Sequence, residues 1–278
     1  MDKNLIRFKS NAKMYFIFVF VWSVVFWILT TLLGGINQFP GSILFYIGGA
    51  GPLVSAIVIT HLFESKENQK EFWSRTFNLK RIPWRWIVPA LLLHPSIILT
   101  AGFIETLLGG ELQYKISLLS TPMSLLTLVL SVFILGPLPE EIGWRGVGYD
   151  RLLMTMTPLS ASILLGIFWA AWHVPLFFIE NTFHYGLGFG SFRFWVFLLS
   201  NIPLTIIITW IYNHTDRSIL MAAIVHFSGN IVGAILPKSD RFAALELLGL
   251  IFIAITISIF TGTGLRSKKN SSPKKTQD

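Results

Sequence analysis

The sequence predicts an all-α fold, a polytopic transmembrane helical bundle of about eight membrane helices. Three observations carry that prediction. The chain is 53% hydrophobic and only 13% charged, whereas soluble domains carry about 25% charged residues. Eight apolar stretches (residues 14–33, 43–63, 86–108, 118–138, 159–179, 192–212, 219–236 and 243–261) each approach the roughly 20 residues that a helical span needs. These stretches are continuous, not alternating. That excludes a membrane barrel, and in lipid only helices and closed barrels satisfy the backbone.

Taken in order, stretch 14–33 is long enough to span and no small-residue cleavage site follows it, so it reads as a span and not as a cleaved signal. The connection 64–85 is the longest polar one. Its basic residues interleave with Phe72, Trp73, Phe77 and Trp84, with Trp86 just beyond. That pattern suits an element lying on a membrane surface, and equally a loop with aromatic anchors. The remaining connections are short. Residues 1–265 read as one transmembrane domain and 266–278 as a basic, disordered cytoplasmic tail, rich in Lys and Ser.

The net charge of +8 is not a nucleic-acid signal, because the basic residues sit in loops and tails beside apolar spans. Of the 22 Lys and Arg, 18 fall in the N-terminus, 66–85, 145–151, Arg217 and the tail; only Lys115, Arg193, Lys238 and Arg241 fall in the alternate connections. The positive-inside rule then puts both termini in the cytoplasm. There are no cysteines, which excludes disulfides, a thiol nucleophile and a Cys-based metal site.

Charge within membrane segments is costly and marks function. Pro139 suits a first helical turn, so one helix ends near Gly136 and another starts at Pro139. Glu140 and Glu141 then lie at its positive end. Glu141 and Arg145 are four apart and pair, whereas Glu140 points about 100° away, toward a cavity. Both glutamates could simply cap the helix. The reading adopted is structural for Glu141 with Arg145, and catalytic for Glu140. His173 lies in an apolar segment, one turn after Trp169, which walls the same pocket. A histidine there is either a packed, hydrogen-bonded residue or the partner of a base acting on water. His226 and Asn230 share one helix face. They are either interhelical hydrogen-bonding groups or donors to a developing oxyanion.

Together, Glu140-Glu141-Ile142-Gly143-Trp144-Arg145, Trp169-Ala170-Ala171-Trp172-His173 and His226-Phe227-Ser228-Gly229-Asn230 resemble the three motifs of the CAAX-protease and bacteriocin-processing family, which includes the type II CAAX prenyl endopeptidases. The family usually has Phe where Trp169 stands. The resemblance covers roughly residues 118–236.

It implies an intramembrane endopeptidase whose cavity opens to the cytosol. Glu140 would be the base that activates water and His173 its partner, with His226 and Asn230 stabilising the oxyanion. Classical members cut after a prenylated cysteine and release a C-terminal tripeptide, and other members are tied to peptide processing and immunity, so the implied partners are prenylated or other membrane-associated peptides and the lipid bilayer. No cofactor is favoured. Zinc held by Glu140, His173 and His226 is the alternative, although no His-Glu-x-x-His motif supports it. Two other classes stay open: a non-catalytic immunity or scaffold protein, and a proton-coupled transporter, against which no inverted repeat is visible. One tension remains within the sequence. His173 lies about 14 residues, roughly 21 Å, into its segment, while Glu140 follows the end of 118–138. For the two to meet, either the His173 helix starts outside the bilayer or Glu140 lies deeper than that boundary implies.

Overall fold

The computed structural model describes residues 3–265, with side chains from residue 12 onward. The expected tail, 266–278, lies outside the described residues. Among these the secondary structure is helical: α1 (Lys3–Leu32), α2 (Gly41–Gly49), α3 (Gly51–Phe63), α4 (Lys66–Phe77), α5 (Ile87–Leu107), α6 (Pro122–Leu135), α7 (Pro137–Gly143), a π-helical stretch (Trp144–Tyr149), α8 (Asp150–Leu152), α9 (Pro158–His173), α10 (Phe183–Leu187), α11 (Phe192–His214), α12 (Ile219–Ile235) and α13 (Asp240–Thr261).

Six helical stretches are long and apolar enough to cross a membrane. The expected segment 43–63 is not one straight helix. It is α2 and α3, bent by 52° at Ala50. The expected segment 219–236 is the shorter α12, 17 residues long. Counting both gives the expected eight. Hydroxyl caps begin several of these helices: Thr121, Thr157, Ser191, Ser218 and Ser239 each accept from a backbone N–H three residues on.

Helices α9 and α11 form the centre, with 56% and 61% of their most apolar windows buried, against 11% for the span that contains α6. Helix α11 packs on α9, α12 and α13, and α12 packs on α5 and α7. No residue of α6 is buried.

The largest departure from expectation is the span that begins at Pro122. It does not end near residue 138 but continues to Leu152, through a break at Gly136 and the π-helical stretch. The new helix starts at Pro137, two residues before Pro139; neither proline has an N–H to continue the ladder. Glu140 is therefore about 12 residues, ~18 Å, from the Leu152 end, and that depth matches His173, about 15 residues from Pro158.

The π-helical stretch is held at one end of the bundle by α4. Arg75 donates to Asp150 Oδ2 at 2.7 Å, to the Tyr212 hydroxyl at 2.6 Å and to the Gly146 carbonyl at 3.3 Å. Arg217 also pairs with Asp150. The 64–85 segment is thus not a bare loop: it holds α4, which packs on the end of the bundle with Phe72 and Arg75 buried. The connections around 64–86, 150–158 and 214–218 lie at this basic end with Lys3 and Leu265. Those around 33–40, 108–121, 174–191 and 236–240 lie at the other.

Gly143 sets how closely α3 approaches this span. A Cβ there would sit 2.5 Å from the carbonyl carbon and oxygen of Pro52. Gly143→Ala should therefore force the helices apart and cost about 1–3 kcal/mol. Thermal unfolding in detergent should show a lower midpoint for Gly143→Ala and none for Gly186→Ala, which meets nothing within 4 Å. Equal midpoints would mean that this approach is not tight.

Candidate active site

A cavity of about 660 Å³ runs between α6, α7, α9, α11, α12 and α13, and Glu140, Trp169, His173, His226 and Asn230 all line it. Glu141 and Arg145 do not. The two glutamates part because successive helical residues turn by about 100°.

Glu141 turns into the protein, where it has no exposure. Its Oε1 accepts from Arg145 Nη1 at 2.8 Å, the i,i+4 pair read from the sequence, and also from His226 Nδ1 at 3.0 Å. The second contact was not anticipated. Because an ionised carboxylate only accepts, His226 donates through Nδ1 and presents Nε2 to the cavity. The same carboxylate balances positive charge on the ring when Nε2 also carries a proton.

Glu140 turns to the cavity, and its Oε2 accepts from Trp169 Nε1 at 2.8 Å. Trp169 is more than a wall. Its carbonyl accepts from His173 Nδ1 at 2.7 Å, its ring meets His226 edge-on at a centroid distance of 4.9 Å, and the Arg145 guanidinium lies 5.3 Å from its ring centre. A carbonyl can only accept, so the His173 proton is on Nδ1 and the Nε2 lone pair remains available.

Asn230 is exposed to the cavity one turn beyond His226. The site thus brings together a carboxylate, a histidine acceptor and, on α12, two groups able to donate. That set can hold water and polarise a carbonyl. Among the described residues, no three His, Asp or Glu side chains are grouped closely enough to hold a metal ion, so the ligand set Glu140, His173 and His226 is not assembled as one.

The cavity also contains residues that the sequence reading passed over: His94, His184, Lys238 and Glu246. His184 lies 5.3 Å from the His173 ring, and its Phe177, Phe183 and Phe197 neighbours desolvate it and hold its pKa well below the usual histidine value. His94 Nε2 lies 3.3 Å from Glu246 Oε1, and Lys238 pairs with the other oxygen. The rule that flagged Glu140, charge inside an apolar stretch, applies equally to Glu246. Nothing in the sequence marked His184, which sits in a connection.

The lining runs from Glu140, His173 and His226 to Lys115, Arg193 and Lys238, at the end opposite the basic loops. The lining thus reaches the end of the bundle opposite the chain ends.

Removing the Glu141 charge strands Arg145 and releases His226. Glu141→Gln should cost about 3–5 kcal/mol, as when a buried ion pair loses one partner. Thermal unfolding should show this, and a wild-type midpoint would contradict the pair's role in holding the fold.

Comparison with known proteins fits this arrangement. Residues 122–232 match the model of the type II CAAX prenyl endopeptidase Rce1-like family. The CAAX prenyl protease 2 of Methanococcus maripaludis is 31% identical over 263 residues, covering 91% of this chain and 95% of that protein. The chain belongs to the Rce1-like family of CAAX prenyl endopeptidases and is a multi-pass membrane protease.

Proposed function

We propose that the protein cleaves C-terminal prenylated peptides after the lipid-bearing cysteine, using water activated by Glu140 without a metal. The observation that carries this reading is the Glu140 carboxylate, fixed by Trp169 at 2.8 Å in the cavity that His173 and His226 also line. Water sits between Glu140 Oε1 and His173 Nε2. Glu140 takes its proton as the oxygen attacks the scissile carbonyl. The negative oxygen that results is met by His226 Nε2–H and the Asn230 amide. Glu140 then returns the proton to the departing amine, which closes the balance of atoms and charge.

A lipid-modified substrate suits the walls. Helix α6 lines one side of the cavity yet has no buried residue, so a chain in the bilayer has a short way to the site. Each buried CH₂ contributes about 0.8 kcal/mol to partitioning.

Glu140→Gln keeps the shape but cannot accept the proton, so it should abolish turnover of a farnesylated CAAX peptide while the protein stays folded. The wild type should cleave that peptide much faster than its unmodified counterpart, and should do so after prolonged treatment with a strong zinc chelator. Mass spectrometry of the products checks all three. Normal turnover by folded Glu140→Gln would remove it as the base. Equal rates on both peptides would remove the prenyl preference. Loss with chelator, restored by zinc, would replace water activation by Glu140 alone with a metal site.

For topology, the 18-to-4 distribution of basic residues favours a cytoplasmic α4 end and cytoplasmic termini. A cysteine at exposed Asn78 should then resist an impermeant thiol reagent in intact cells, and one at exposed Gln38 should react. The reverse labelling would turn the bundle over.

A further inference from the structure

Helix α12 carries a measure of length along the cavity. His226, Asn230 and Gly233 fall at i, i+4 and i+7, on one face, and all line the cavity. From His226 to Gly233 the helix rises roughly 10.5 Å toward the end of the cavity that Lys238 lines. Beside Gly233 stands the ammonium of Lys238, 3.7 Å from where a Cβ on that glycine would be.

Lys238 is held in place. Its ammonium pairs with Glu246, whose other oxygen is 3.3 Å from His94 Nε2. Its carbonyl accepts from Arg193 Nη2 at 2.7 Å. An ammonium has three protons, so one contact with Glu246 leaves two to donate. Arg193 and Lys115 line the same stretch, where Glu246 is the acid among the lining residues and Asp240 pairs with Arg193. This end of the cavity therefore carries more positive than negative charge and favours an anion.

Three residues of extended peptide span roughly 10 Å. That is the distance from a scissile bond to the terminal carboxylate of a released tripeptide. It is also the rise from His226 to Gly233. We propose that Lys238, steered by Glu246 and backed by Arg193, binds the C-terminal α-carboxylate of the peptide substrate and so sets how many residues are released. This rests on the reading that His226 and Asn230 meet the scissile carbonyl. His94, Lys238 and Glu246 all lie outside the matched residues 122–232.

The test compares two farnesylated peptides of one sequence, one ending in a free carboxylate and the other in a carboxamide. Wild-type kcat/KM should favour the acid by on the order of 10- to 100-fold, the worth of a hydrogen bond to a charged group. In Lys238→Gln the acid-to-amide ratio should fall to about 1, and in Lys238→Arg it should recover. If Lys238→Gln fails to fold because Glu246 is left unpaired, Lys238→Gln/Glu246→Gln removes both charges and should give the same ratio. A wild-type ratio near 1, or one that survives the loss of Lys238, overturns the proposal. Binding of both peptides to the Glu140→Gln protein separates this inference from the protease reading. Tighter binding of the acid, lost with Lys238→Gln, supports the subsite even where the wild type cleaves neither peptide. Cleavage of both without preference leaves the protease reading and removes the subsite.

Discussion

One buried carboxylate organises this protein. Glu141 has no exposure and sits among helices whose outer faces are apolar. An ion in such surroundings persists only when it is paired and hydrogen-bonded. Glu141 meets that condition by joining two elements far apart in sequence: Arg145 on its own strand of helix, and His226 on α12. The same bond that neutralises the charge fixes which nitrogen of His226 faces the cavity. Arg145 in turn lies over Trp169, whose indole and carbonyl hold Glu140 and His173. The requirement to bury one charge safely therefore propagates through two further contacts to Glu140 and His173.

The backbone of that span departs from regular helix twice, at Gly136 and over Trp144–Tyr149. A π-helical turn adds a residue to the ladder and is frequent at functional sites. Here it carries Arg145 and leads to Asp150, where Arg75, Arg217 and Tyr212 close the end of the bundle. The break at Gly136 lets the chain turn between a lipid-facing half, α6, and a half packed against α3 and α12. One membrane crossing thus serves as cavity wall over its first half and as anchor for the site over its second.

Much of this was legible in the sequence. The helical spans were, because the thickness of a bilayer imposes a length on every apolar run. The Glu141–Arg145 pair was, because its partners lie one turn apart. What escaped depends on contacts between helices. The bend at Ala50 falls inside an unbroken apolar stretch, where hydropathy has nothing to register. The span containing Glu140 was cut short because its charged middle resembles a loop. The bond from Trp169 to Glu140 crosses 29 residues, and no periodicity reports such a distance. Glu246 was visible as an acid in an apolar run but had no recognised pattern around it. Which end of the bundle the cavity lining reaches needed the direction of each helix, which charge counting alone does not supply.

The two halves of the Trp169 contact differ in how they are written into the protein. His173 is oriented by a backbone carbonyl, which every amino acid possesses, so that orientation tolerates drift at position 169. Glu140 is oriented by an indole N–H, which phenylalanine lacks. Random substitution at this one position therefore uncouples two groups that otherwise act as a unit, sparing one and freeing the other. Over generations, the histidine side of the pair is shielded from sequence change, whereas the glutamate side carries an exposure to it that only another change nearby can offset.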